Sequence, residues 1–326
     1  MARPKIALYW CASCGGCEET VVDLAERVLD LAGLVDIVFW PVALDYKLSD
    51  VEALDDKSID VALINGGVRT TENERVVRIL REKAKYVIAF GACSSWGGIP
   101  GLANLSSREE ILDWVYSKAP TNANEKNTRP AGATENGVNL ELPTLLAQLE
   151  PLDRVIEVDY YVPGCPPTPD VTWNAVQTII SGPLPPRGSV IGADSRALCH
   201  SCPLKGTKPD KVMVREFRRI TEFVPDLSKC LLTQGVPCLG PVTRGGCEAL
   251  CVKGGMPCTG CFGPVDGVKD FGARAVSYLA SVLDLEDEKE IDNALSRLTD
   301  VVGLAYKYSL PTSELRRRFA GEAKAK

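Results

Sequence analysis

Thirteen cysteines in a chain of 326 residues set the chemical question. Three of them, Cys11, Cys14 and Cys17, are evenly spaced in CASCGGCEET, residues 11–20. Cys93 and Cys165 stand alone. The other eight, Cys199, Cys202, Cys230, Cys238, Cys247, Cys251, Cys258 and Cys261, fall within 63 residues. Thiolates in such numbers are ligands for soft metal, either zinc or iron–sulfur clusters. Disulfides are the competing chemistry, but the count is odd. MARPKIALYW also has neither a signal-peptide core nor a twin-arginine pair, which predicts a cytoplasmic protein whose thiols stay reduced.

The elements that must position these thiols can be read from apolar patterning. Runs at 5–10, 36–43, 60–67, 85–92 and 155–162 read as buried strands, and 72–84, 107–118 and 170–180 as helices between them. After the first strand, Val21, Leu24, Ala25, Val28 and Leu31 recur at helical spacing. Alternation of this kind predicts an α/β fold, a parallel sheet with helices on both faces and a flavodoxin-like strand order. Residues 119–142 are polar and patternless and read as a surface insertion or disorder.

From 182 to 268 the composition changes. Gly and Pro make up 23 of these 87 residues, against 50 of all 326, and eight cysteines lie here. Apart from residues 211–224 the stretch has little periodic apolar sequence, so bound metal is expected to order it. Helical patterning returns at 270–310. The domain reading is therefore 1–183 for the flavodoxin-like sheet domain and 184–326 for a smaller, irregular metal domain closed by C-terminal helices.

In an open parallel sheet the loops at the carboxyl edge face one crevice. Cys14 and Cys17 follow the first strand, Cys93 ends the fourth and Cys165 ends the fifth. These four are predicted to converge although 151 positions separate the first from the last. Gly15 and Gly16 permit a tight turn that aims N–H groups at an anion, and the next helix points its positive end there. A ferredoxin-type run would need cysteine at position 21, which is Val21. Cys11 is accordingly read as a buried small hydrophobe. The other eight divide in chain order into Cys199, Cys202, Cys230 and Cys238, then Cys247, Cys251, Cys258 and Cys261. Spacing leaves zinc open for both sets.

Other chemistries find little material. The chain has one histidine, His200, too few for a Ser-His-Asp site. Neither a dinucleotide fingerprint nor a P-loop is present. A net charge of −6 excludes a nucleic-acid footprint, with no basic stripe before the tail ELRRRF, and no apolar run is long enough to span a membrane. Glu18 and Glu19 suit the start of a helix.

SCGGCEET, GACSSWGGIPG and VPGCPPTPD resemble the proximal-cluster motifs of nickel–iron hydrogenase small subunits, and the Cys-rich segment resembles their medial and distal region. The resemblance covers roughly residues 3–265. It implies three 4Fe–4S clusters: proximal on Cys14, Cys17, Cys93 and Cys165; medial on Cys247, Cys251, Cys258 and Cys261; distal on Cys199, Cys202, Cys230 and Cys238. Cys199 stands where many periplasmic members have histidine, with His200 as the alternative ligand, and Cys251 supplies a fourth medial thiol where many have proline. All-cysteine ligation is similar to the cytoplasmic class, most of all to the methyl-viologen-reducing, deazaflavin-independent type. The implied partners are a large subunit bearing the nickel–iron centre and an iron–sulfur or flavin acceptor subunit, with a heterodisulfide reductase complex as one candidate. Glu19 matches a family position beside the proximal cluster, implying partner contact or proton relay. A quinone-reductase-like subunit, a hydrogen sensor and a zinc-organised scaffold are the rival readings.

Overall fold

The structure, a computed structural model, describes residues 3–314; the basic tail at 315–319 lies outside the described residues. β1 (Lys5–Trp10) leads through the Gly–Cys loop into α1 (Gly16–Val22) and α2 (Arg27–Leu34). β2 (Asp36–Phe39), α3 (Leu48–Glu52), β3 (Ile59–Asn65) and β4 (Val68–Thr70) follow, then α4 (Thr71–Lys83), β5 (Ala84–Phe90) and α5 (Ala92–Trp96). α6 (Arg108–Asp113) continues as a π-helical turn, Trp114–Lys118. An exposed hairpin, β6 (Ala133–Glu135) and β7 (Val138–Leu140), precedes β8 (Leu145–Glu150), β9 (Tyr160–Val162) and α7 (Pro169–Ser181).

Five strands form one parallel sheet in the order β2-β1-β3-β5-β9, the flavodoxin-like order that the sequence predicts. Alternation along β1 sends Ile6 and Leu8 to one apolar layer and Ala7 to the other. The first layer takes Val21 from α1 and Val171 and Ala175 from α7; the second takes Val76, Val77 and Leu80 from α4. Each large aliphatic side chain buried this way contributes roughly 1.5–3 kcal/mol. α4 starts where the Thr70 side chain accepts from the Asn73 N–H, and Arg81 and Lys83 in its last turn complement the helix dipole.

β9 is short, and a buried ion pair fixes it. The fully buried Asp159 accepts from Arg81 at 2.7 Å and from the Val87 N–H at 2.8 Å, with Arg187 at 3.2 Å. This holds the chain leading into β9 against β5 and the end of α4.

Three expectations change, and one strand pairing is new. The periodic stretch after β1 is two helices, because Ala25 takes a positive φ of 53° between them. The strand expected at 36–43 ends at Phe39, where the chain turns and the Ala43 N–H meets the Trp40 carbonyl. The last strand begins at Tyr160, after the turn that follows Leu152–Arg154, not at 155. β4 and β8, which the sequence reading did not foresee, pair antiparallel. Residues 119–142 form a largely exposed surface insertion.

Beyond α7 the chain runs through turns and one short helix, α8 (Leu250–Lys253), before α9 (Phe271–Ser281), α10 (Glu288–Ser296) and α11 (Val301–Ala305). Residues 211–224 form no helix; Val212, Val214 and Phe217 instead join Phe271, Ala275 and Leu279 of α9 in a third core. Ile191 and Phe262 pack into the first layer of the sheet domain, which anchors the Cys-rich stretch to the sheet.

Candidate metal centres

The sheet register places one set of thiols. Trp10 pairs with Asn65, Asn65 with Phe90, and Phe90 with Val162, so four strands end at one level. The loops released there are cross-linked: the Cys11 N–H meets the Asn65 carbonyl, Gly91 meets Val162, and Ala92 meets Gly164, at 2.7–2.8 Å. The Thr20 hydroxyl hydrogen-bonds to the Gly16 and Pro167 carbonyls, tying α1 to the Cys165 loop.

Cys14, Cys17, Cys93 and Cys165 thereby lie at one sheet edge, near enough to raise one another's thiols. Burial pushes the Cys93 thiol up to about 12, and the nearby Cys165 and Cys14 add to it. The Cys17 thiol is raised by burial and then by the other three. Cys165 is raised by burial and by Cys14, with the half-buried Lys307 opposing. Glycines allow the backbone to approach the sulfurs. Gly91 and Gly98 have φ of +90° and +59°, and a Cβ on either would lie 2.3 Å from Cys17 Sγ or Cys93 Sγ respectively.

Cys199, Cys202, Cys230 and Cys238 line a second site together with Lys205 and Lys208. Cys199 is pushed up to about 12 by burial and then by Cys238, with Lys208 opposing. Cys247, Cys251, Cys258 and Cys261 line a third cavity of about 280 Å³, which Cys165 also reaches. Burial, then Cys247, Cys251 and Cys165, pushes Cys261 up to about 12.

Two contacts join the three sets in space. Cys165 lies beside Cys261 on the wall of the third cavity, and the Cys258 N–H donates to Cys238 Sγ at 3.3 Å. The spatial order is therefore the sheet-edge set, the 247–261 set, then the 199–238 set, the reverse of chain order for the last two. Tyr308, buried and 3.1 Å from the Thr259 hydroxyl, lies beside Cys261, Cys165 and Cys251 at the first junction. Tyr278 stands beside the 199–238 set. Sequence reasoning missed both tyrosines, since helical periodicity in 270–310 marks packing and not what a side chain faces.

Cys11 is buried in the second apolar layer, as expected of a small hydrophobe, and burial raises its thiol. His200 is exposed in the turn after Cys199. The two acids divide in a way the sequence reading did not anticipate. Glu19 is exposed, whereas Glu18 is buried toward the sheet and accepts from Asn65 Nδ2 at 3.1 Å; burial raises its carboxyl. Starting α1 at Gly16 turns residue 18 toward β3 and residue 19 away.

The donor sets fit iron–sulfur groups. Each is made of thiols alone, and a backbone N–H already meets sulfur where Cys258 donates to Cys238 Sγ at 3.3 Å, which lowers that thiol against the effect of its burial. Such donors stabilise thiolates and tune bound clusters. Among the described residues, no group of three or more His, Cys, Asp or Glu side chains is gathered closely enough for a single metal ion.

The family described as NADH ubiquinone oxidoreductase, 20 Kd subunit, matches residues 14–179. The chain is 42% identical to the iron-sulfur subunit of the F420-non-reducing hydrogenase of Archaeoglobus profundus, over 96% of this chain and 98% of that one. It is 35% identical to an F420-non-reducing hydrogenase subunit of Methanothermobacter marburgensis, over 98% of each. Among solved structures, the NiFeSe hydrogenase of Desulfovibrio vulgaris Hildenborough superposes with a TM-score of 0.51 at 18% identity, covering 82% of this chain and 95% of that one, a likeness of fold. Fold and relatives define an oxidoreductase component, the iron-sulfur subunit of a hydrogenase. The chain belongs to the family of these F420-non-reducing hydrogenase iron-sulfur subunits. Among the described residues no helix is long and apolar enough to cross a membrane.

Proposed function

We propose that this chain relays electrons from hydrogen oxidation in a partner large subunit, which bears the nickel–iron centre, to a further iron–sulfur or flavin subunit in the cytoplasm. Cys14, Cys17, Cys93 and Cys165 hold the proximal of three 4Fe–4S clusters, Cys247, Cys251, Cys258 and Cys261 the medial, and Cys199, Cys202, Cys230 and Cys238 the distal. When bound, such clusters supply one-electron chemistry at potentials set by hydrogen bonds, charge and burial. Every other task falls to the chain. Strand ends and glycines present the proximal thiols at the crevice, and the Gly-rich loops around them form the face for the large subunit. The exposed Glu19 is assigned to that face. The division at 183/184 separates the proximal site from the other two.

The observation that carries this reading is the unbroken line of thiol sets, linked by the Cys165–Cys261 and Cys258–Cys238 contacts. A relay needs its stops in sequence, and a zinc scaffold has no need for them to touch.

The test is iron and acid-labile sulfide analysis of the anaerobically purified complex, with paramagnetic resonance on reduction. About twelve irons per chain are expected, four per four-cysteine set. Zinc without sulfide would overturn the reading.

A further inference from the structure

The 199–238 thiols share their site with two lysines, Lys205 and Lys208. Lys205 is exposed and Lys208 half-buried. Neither has a carboxylate partner among the described residues, whereas the neighbouring Lys229 and Lys253 pair with Asp226 and Glu248. The turn that carries the two lysines is fixed. The Thr207 hydroxyl donates to the Leu204 carbonyl and accepts from the Cys230 N–H, both at 2.8 Å. The turn thus keeps both lysines on the lining of the thiol site.

The segment that carries the two lysines is locally basic, although Arg215, Arg218 and Lys229 in it are paired with acids. From 198 to 232, seven Lys and Arg face four Asp and Glu; over the whole chain the count is 37 against 43. Apolar surface accompanies the charge. Leu227, 57% exposed, lies against Gly255, next to Met256 at 50%, in the loop after α8 whose Val252 lines the same site. An apolar centre with a charged rim is the anatomy of a protein-docking patch.

We propose that this face docks an acidic electron-carrier protein. The proposal rests on the relay reading above and adds the sign and chemistry of the acceptor. Unpaired lysines held at an electron exit attract an acidic partner from a distance and orient its redox group toward the thiols. The same charges disfavour a cationic acceptor.

The test uses the intact hydrogenase complex under hydrogen with two acceptors, an acidic 2Fe–2S ferredoxin and dicationic methyl viologen. Salt is varied from about 0.01 to 1 M, over which the Debye length falls from ~30 to ~3 Å. The ferredoxin rate should fall by roughly tenfold or more, while the viologen rate holds or rises. Joint replacement Lys205→Glu and Lys208→Glu should lower the ferredoxin-to-viologen rate ratio about tenfold and weaken ferredoxin binding in a direct Kd measurement. The neutral pair K205Q and K208Q, less disruptive to folding, should shift both readouts in the same direction by less. A salt-insensitive ferredoxin rate, or an unchanged ratio and Kd in the neutral pair, would overturn the proposal. Failure of the wild-type complex to reduce either acceptor would strike the relay reading instead, and the salt dependence of the ferredoxin Kd would still decide docking.

Discussion

Two frameworks hold the thiols, and they differ in what orders them. The proximal set hangs from strand ends that share one register level, with fully buried residues such as Ala62, Ile64, Ile88 and Ala89 beneath it. The other eight thiols ride on turns and the four-residue helix α8, in a stretch rich in Gly and Pro. A packed sheet fixes its loops before any metal arrives. The Cys-rich stretch has a smaller core of its own, Val212, Val214, Phe217, Leu232 and Leu239 packed with α9, and bound metal is predicted to supply the rest of its order. The comparison sets a sheet-supported thiol site beside turn-borne ones, which are predicted to differ in how far metal orders them.

Removing the metal should separate the two frameworks most strongly. After anaerobic chelation, amides within 199–261 are expected to lose hydrogen-exchange protection by several orders of magnitude, since metal binding in such segments supplies on the order of 10 kcal/mol of folding energy. Amides of β1, β3 and β5 should keep theirs. Simultaneous loss in both regions would show that the two frameworks are one.

Next in size is the buried ion pair beneath the proximal set. Asp159→Ala leaves Arg81 and the Val87 N–H without their acceptor and should cost about 3–5 kcal/mol in chemical denaturation. The damage should fall on the proximal cluster signal, because Cys165 follows β9. A loss confined to the distal signals would contradict the assignment of β9 as the support of Cys165.

Gly91→Ala places a methyl group 2.3 Å from Cys17 Sγ at a positive φ and should remove about four irons, one cluster's worth. Gly206→Ala, where an added Cβ meets nothing within 4 Å, should change stability by less than about 0.5 kcal/mol and leave iron content intact.

Crowded, buried thiols also give a pH signature. Cys93, in the sheet-supported site, is pushed up to about 12 from 9.0, so the folded metal-free chain holds its proton more tightly than the unfolded chain does. That stability is full below pH 9 and is lost as pH rises toward 12. Thermal midpoints of the chelated protein should therefore fall across this window, while the loaded protein, whose thiolates are already deprotonated, shows no such decline.

The smallest effect is expected at Cys11. Cys11→Ala should cost about 1 kcal/mol and leave the iron count unchanged, because this thiol packs in the opposite apolar layer. A lost cluster in this variant would return Cys11 to the ligand set.

Much of the sheet domain was legible because its signals are local. Short apolar runs alternating with helical periodicity pointed to the strand order, and strand ends located Cys14, Cys17, Cys93 and Cys165. The misses are non-local. The β4–β8 pairing joins segments some 80 residues apart, and neither segment carries a strong pattern. Ala25 breaks a periodic stretch without Gly or Pro to mark the break. Glu18 and Glu19 are equivalent as helix-start acids until the phase of α1 is known. Tyr308 reaches its junction from near the end of the described chain.

Taken alone, the sequence determined the sheet that presents one set of thiols, and it predicted the type of donor and a division of twelve cysteines into three sets of four, since each depends on residue type and near-neighbour spacing. Spacing left the order of the sets in space to the resemblance, and only the tertiary structure supplies its physical basis. Cys258 precedes Cys261 by three residues, yet one faces Cys238 and the other Cys165. That arrangement comes from how the metal-binding stretch folds back on the sheet, with Phe262 buried in the sheet's apolar layer. Burial energy, and no spacing rule, sets it.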